Sequence, residues 1–138
     1  MKASLKFITN GKVVSISVNF LYILAMVILI TSGINYVKTG SFTVFGYKVL
    51  RIASESMEPT LMTGDFVMAK QVKADEEIEV GGIYTYVAEN GFYTVTHRIV
   101  AEEDKNGDKY YIFKGDNNDE QDPKPIHRKR VKFKIEVK

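Results

Sequence analysis

Between Val13 and Val37 the chain carries no charged residue, and the middle of that interval, Phe20-Leu21-Tyr22-Ile23-Leu24-Ala25-Met26-Val27-Ile28-Leu29-Ile30, is apolar without a break. A helix needs about 20 such residues to cross the hydrocarbon core of a bilayer. Polar residues collect toward the ends, Ser15, Ser17 and Asn19 on one side and Thr31, Ser32 and Asn35 on the other. A cleaved secretory signal has a shorter core, about 7 to 15 residues, followed by a small-residue cleavage site. Here the uncharged flanks lengthen the segment and no Ala-x-Ala-like site follows Ile30, so the pattern predicts a retained anchor. Lys2, Lys6 and Lys12 precede it, and Lys38 and Lys48 follow it. The excess of lysine on the N-terminal side predicts a cytoplasmic segment at 1–12, a transmembrane anchor at 13–37 and an exoplasmic domain at 38–138.

Past the anchor the period of the pattern shortens to that of strands and turns. Thr39-Gly40-Ser41 is a linker, and the aromatic run Phe42-Thr43-Val44-Phe45-Gly46-Tyr47 suits either the bilayer interface or the core of the domain. Strands are predicted at 47–53, 66–72, 83–87, 92–102, 110–113 and 131–137. Turns separate them. Pro59 breaks the chain after the first, Leu61 to Asp65 turns it, and Lys73 to Glu79 is an acidic solvated loop ended by Gly81-Gly82. Glu89-Asn90-Gly91 and Asn106-Gly107 suit hairpins, because such residues accept a positive φ. Asp116 to Ile126 is a polar loop with Pro123 and Pro125, and Val131 to Val137 alternates strictly, as a half-exposed strand does. The fold class expected is mainly β, a meander behind one N-terminal transmembrane helix.

Composition narrows the function more than the fold. A chain of 138 residues has room for one domain of ordinary size, and a net charge of +2 points to no particular partner. There is no cysteine for a disulfide or a thiolate metal site, and two histidines, His97 and His127, make a histidine-rich metal centre a poor expectation. The basic cluster His127-Arg128-Lys129-Arg130, with Lys132 and Lys134 beyond it, invites a nucleic-acid or lipid reading, but a solvated strand edge is what the pattern predicts. Neither a cofactor nor a nucleic-acid partner is expected.

Three polar spots stand out against the strands. Ser54 and Ser56 sit where the first strand breaks, His97 lies within Thr94-Val95-Thr96-His97-Arg98-Ile99-Val100, and Lys114-Gly115-Asp116-Asn117-Asn118 leads to Asp122. Serine becomes a nucleophile when a neighbouring group takes its proton, and an imidazole oriented by a carboxylate does this near neutral pH. The same residues also have structural uses. A serine before a proline turn bonds to nearby backbone, a strand histidine finds a partner, and an aspartate before asparagine caps its own turn.

The wording of the spots and their order carry more than the residue types. Ser-x-Ser-Met-Glu-Pro-Thr, then Gly64-Asp65, then Thr96-His97-Arg98-Ile99-Val100, then Lys-Gly-Asp-Asn-Asn resembles the type I signal peptidases. More narrowly it resembles the archaeal and endoplasmic-reticulum branch that includes the SipW-type enzymes, where histidine replaces the usual bacterial lysine. The resemblance implies that Ser56 is the nucleophile and His97 the general base. It implies that Ser54, with the Ser56 amide, donates to the oxyanion, and that Asp116 and Asp122 are the two acidic positions of the last box. It further implies a β-rich catalytic domain on the outer membrane surface, acting without cofactor or metal. Its partners would be the bilayer, preprotein signal peptides with small residues at −1 and −3, and possible further membrane subunits.

Of the two carboxylates, Asp122 precedes Pro123 and is biased to extended backbone from which it can reach His97, whereas Asp116 is placed to shape its loop. Glu55 stands where the family has glycine, and Gln121 stands where another acid is usual. The family pattern also continues beyond Ile126 toward a second hydrophobic segment, where this sequence runs into a charged strand. Two rivals fit the same residues. One is a catalytically silent, membrane-tethered binding or assembly subunit. The other is a Ser-Lys self-cleaving protease using Lys105, Lys109 or Lys114.

Overall fold

The computed structural model describes residues 11–39 and 42–136. The lysines expected at the start of the chain (Lys2 and Lys6), Gly40 and Ser41 of the linker, and Val137 of the last strand lie outside the described residues. The chain divides into two compact units, one ending at Phe45 and the other starting at Gly46.

In the first unit, α1 runs Gly11–Thr39, 29 residues. Its Ser15–Ile34 segment, 20 residues, is long and apolar enough to cross a membrane. At 1.5 Å per residue such a segment covers about 30 Å, the thickness of the hydrocarbon core. Its large side chains stand outward all round, Ile16, Phe20, Tyr22, Leu24 and Leu29 among them, so the helix offers water no polar face. The Thr31 hydroxyl donates to the Val27 and Ile28 carbonyls and is satisfied inside the helix. Phe42 and Phe45 of the aromatic run are both largely exposed.

The second unit is a seven-stranded antiparallel sheet built from β1 Tyr47–Arg51, β2 Phe66–Gln71, β3 Ile83–Val87, β4 Thr94–Lys105, β5 Asp108–Lys114, β6 Ile126–His127 and β7 Val131–Glu136. The mainly β class is as expected, with strand ends shifted by a few residues. β1 stops at Arg51, β4 starts at Thr94 and leaves Phe92 exposed in the turn, and Asn106 and Gly107 take the positive φ of a tight hairpin.

Strand order departs from a simple meander. It is β1-β2-β7-β3-β4-β5-β6, so β1 and β2 are neighbours and β3 to β6 follow one another, while β7 enters between β2 and β3. β7 therefore bonds on both sides, to β2 and to β3. Alternation reports that one face is apolar, but it does not report what lies beside the strand.

The basic cluster is likewise no solvated edge. Arg128–Arg130 form a short 3-10 turn in which Arg128 donates to the carbonyls of Lys73, Ala74 and Glu76, and Arg130 donates to Val87 O at 2.9 and 2.6 Å. Two of the cations are spent on holding loop backbone, because carbonyls withdrawn from water need donors.

β3 is buried on both faces and divides the core. Tyr84, Tyr86, Ile99, Tyr111, Phe113 and Val131 pack in one cluster, and Ile52, Met57, Leu61, Ile83, Phe133 and Ile135 in another. A register shift between Thr85 and Tyr86 pairs the first with Phe133 and the second with Val131. That shift allows β7 to serve both clusters.

Candidate active site

The first serine spot is a short 3-10 turn, Glu55–Met57, entered from Ser54 in extended backbone. Its footing is apolar. Met57 and Leu61 are buried beside Ile52, and Leu61 N donates to Met57 O at 2.9 Å. The turn is also held from the far end of the chain: Asn117 N donates to Ser56 O at 2.9 Å, and Asn117 Nδ2 donates to Glu55 O at 3.2 Å. Gly115 lies so close that a β-carbon there would stand 2.6 Å from Ser56 O. Glycine at this place of the last box is therefore a steric requirement of the serine turn.

His97 stands on β4 opposite Tyr84 of β3 and is buried. Its Nδ1 lies 2.9 Å from both carboxylate oxygens of Asp122, and its Nε2 lies 3.1 Å from Ser56 Oγ. A carboxylate has only lone pairs to offer, so Nδ1 carries the proton and Nε2 is left to accept from the Ser56 hydroxyl. Ser54 Oγ lies 3.1 Å from Ser56 Oγ. With the Ser56 proton directed at Nε2, Ser54 is the donor in that pair. The Ser54 side chain makes no capping bond to its turn, so the hydroxyl is not held by the helix end.

The two aspartates of the 115–125 loop go to different places. Asp122 N donates to Phe113 O at 2.7 Å, which seats its carboxylate beside His97. Asp116 instead meets Arg98, which donates from Nε at 2.9 Å and Nη2 at 2.7 Å and reaches Gly81 O from Nη1 at 2.7 Å. The hydrogen bond from Arg98 holds the Asp116 carboxyl below its ordinary range, with a smaller contribution from Thr60, and the same bond raises the Arg98 guanidinium. Of the five residues singled out from the sequence, Ser54, Ser56, His97 and Asp122 form one connected line, and Asp116 stands apart from it on Arg98.

Lys105 and Lys109 are engaged elsewhere, at 2.8 Å from Glu103 and 3.9 Å from Glu102. Sequence reasoning did not single out Tyr86, whose hydroxyl donates to Asp122 Oδ2 at 2.6 Å. The available signal was a tyrosine two residues beyond the position facing His97, on a strand apolar enough to be buried, where a phenol needs a partner. Among the described residues there is no group of three or more His, Asp or Glu side chains placed to hold a metal ion.

Beside the line lies a cleft of about 250 Å³, walled by Leu50 to Ser54 and Met57 on one side and by Thr94 to His97 on the other. Most of the lining is extended backbone of β1 and β4, with Arg51 and His97 among mainly small or apolar side chains.

The chain is 32% identical over 120 residues to signal peptidase I W of Bacillus subtilis (strain 168), covering 83% of this chain and 62% of that protein. It is 31% identical over 105 residues to the signal peptidase complex catalytic subunit SEC11C of Homo sapiens and of Canis lupus familiaris, covering 75% of this chain and 52% of theirs. It thus spans between about half and two thirds of the length of these curated relatives. No protein-family model matches it. Both relatives are named as signal peptidases, and the serine and histidine boxes of this sequence line one cleft of a β-rich unit: the chain belongs to the type I signal peptidase family, in its SipW-like branch.

Proposed function

We propose that this protein is a membrane-anchored serine endopeptidase that removes signal peptides from exported preproteins. The observation that carries the proposal is the unbroken line Asp122–His97–Ser56, with contacts of 2.9 and 3.1 Å. An extended segment of the preprotein enters the cleft with small residues at −1 and −3. Ser56 Oγ attacks the scissile carbonyl while its proton passes to His97 Nε2, and Asp122 stabilises the imidazolium that forms.

Ser54 and the Ser56 amide donate to the oxyanion. Ser54 has only to swing its existing proton from Ser56 Oγ to the new oxygen. A preorganised donor of this kind contributes about 2.7 to 4 kcal/mol in the transition state. His97 then gives its proton to the leaving amine, and a water, activated by the same imidazole, releases the acyl group. The apolar helix and the lysines before it support an anchor with the N-terminus cytoplasmic and the β unit exoplasmic.

The test is cleavage of a preprotein by the purified full chain in detergent, beside Ser56→Ala and His97→Ala. Cleavage after the small residue at −1 by the native chain, and none above background by either variant, is the expected result. A native chain that binds the preprotein and never cleaves it would make this a tethered binding subunit. Full activity in His97→Ala would point to a lysine base.

A further inference from the structure

Asp122 receives a second donor that the triad does not need. Tyr86, on β3, is buried and packs against Phe113 with ring centroids 4.6 Å apart and planes tilted by 49°, and its hydroxyl sits 2.6 Å from Asp122 Oδ2. Tyr86 faces Val95 across the β3–β4 pair, and His97 faces Tyr84, so Tyr86 and His97 emerge from one face of the sheet as diagonal neighbours. Asp122 lies between the two side chains and is bonded to both. We propose that Tyr86 is a positioning residue for the reaction, fixing the Asp122 carboxylate from the side opposite Ser56 and setting how strongly it pulls on the His97 proton. This rests on the serine-peptidase reading of the site.

Two effects follow from one hydrogen bond. With its ring wedged against Phe113, Tyr86 has little freedom, so Oδ2 is held in place and the Nδ1 contact keeps its line. The donated proton also takes up part of the carboxylate charge, and the imidazolium is held less tightly than a bare carboxylate would hold it. His97 must release its proton to the leaving amine, so a tempered Asp122 favours that step. Burial, and then the bond to Asp122, raises the phenol well above its usual range, so Tyr86 stays a donor wherever the enzyme works.

The groups that face this pair are few. Tyr86 comes from β3, His97 from β4 and Ser56 from the 3-10 turn. Asp116, on the same loop, has its charge paired to Arg98, and Arg130 and Tyr93 act on Tyr86.

Tyr86→Phe removes the donor and keeps the ring. In the full-length protein it is expected to lower kcat about tenfold at unchanged KM, and to move the acidic limb of the kcat/KM profile to higher pH. Without its second donor Asp122 stabilises the imidazolium more, so the base is lost at a higher pH. The His97 ring titration followed by NMR should rise with it, in the native and in the Ser56→Ala background. Replacing Tyr86 with 3-fluorotyrosine, a more acidic phenol that keeps the bond, should move both readouts the other way. The fluorinated protein decides the matter alone if Tyr86→Phe does not fold. Native kcat and an unmoved limb in Tyr86→Phe, or a lowered Tm with an unmoved limb, would overturn the assignment. The ring titration needs no turnover: a titration that moves as expected beside a native chain that never cleaves would retain the Tyr86–Asp122–His97 coupling and sink the peptidase reading instead.

Discussion

His97 and Arg98 are neighbours on β4, and each holds a carboxylate from the 115–125 loop, yet the two pairs do opposite things. Successive strand residues point to opposite faces, so the two side chains leave β4 in different directions. Arg98 faces Lys114 across the β4–β5 pair, and Asp116, two residues after Lys114, comes up on the same side to meet it. Asp122 is brought back beside Phe113, which belongs to the cluster under His97.

Arg98 binds Asp116 through a two-pronged fork and never gives up its proton. Its side chain is one third exposed. His97 presents one N–H to Asp122 and keeps a second nitrogen for Ser56, and the His97 and Asp122 side chains are both about nine-tenths withdrawn from water. A pair that only has to hold can use a permanent charge at the surface. A pair that has to pass a proton needs an imidazole, a fixed tautomer and little competing water.

Exchanging the carboxylates for amides is the most direct way to break this contrast. Asp122→Asn offers His97 an N–H as readily as a carbonyl and favours the wrong tautomer, a change that in a related triad lowers kcat about 10⁴-fold. Single-turnover cleavage should show a loss of that order with a Tm close to native. An inactive, stable Asp116→Asn beside an active Asp122→Asn would exchange the roles of the two pairs.

Gly115 tests whether the loop that carries both carboxylates also sets the nucleophile. A β-carbon at 115 would lie 2.6 Å from Ser56 O and 2.8 Å from Asn118 Nδ2, and the first of these is backbone that has nowhere to go. Gly115→Ala should therefore push the loop from the serine turn and lower kcat about 100-fold, the scale expected for a displacement near 1 Å. Tm should fall with it. Native activity in Gly115→Ala would mean that Ser56 is placed by its own turn alone.

The smallest effect belongs to the holding pair. Asp116→Asn should lower stability by about 1 kcal/mol, reduced from that of a buried fork because Arg98 is partly exposed, and should change kcat less than tenfold. Its pH dependence has a definite sign. Asp116 is held below its ordinary range by Arg98, so its contribution is complete above the unfolded-chain value, about 3.9, and is lost as pH falls through the lower folded value. The Tm gap between native protein and Asp116→Asn should be constant near neutrality and close below about pH 4. A gap that widens on acidification would contradict the pairing.

Much of this architecture was legible as local pattern. The uncharged interval around Phe20 to Ile30 implies an apolar helix because length and absence of charge decide that outcome without neighbours. Asn106-Gly107 implies its hairpin because the positive φ is a property of those two residues. Contacts were less legible. Alternation along β7 predicted a strand with one apolar face, and only the sheet order shows that it lies between β2 and β3. The charges of Arg128 and Arg130 suggested solvent, whereas carbonyls brought to them by distant segments turn them inward.

In the site, the sequence by itself determined the kinds of group present, their order and the spacing of Ser54 from Ser56, since these are properties of neighbouring residues. The resemblance to the type I signal peptidases pointed to the carboxylates of one loop as partners of His97. The tertiary structure alone decided that Asp116 meets Arg98, that Tyr86 stands behind Asp122, and that Gly115 must be bare for Ser56 to sit where it does. Those relations join residues 18, 36 and 59 positions apart, and over such distances the chain's local preferences are silent. Strand register, the face on which each side chain leaves its strand and the packing of β3 between two clusters set the distances instead, because hydrogen bonds and close contacts act only over the last few ångströms.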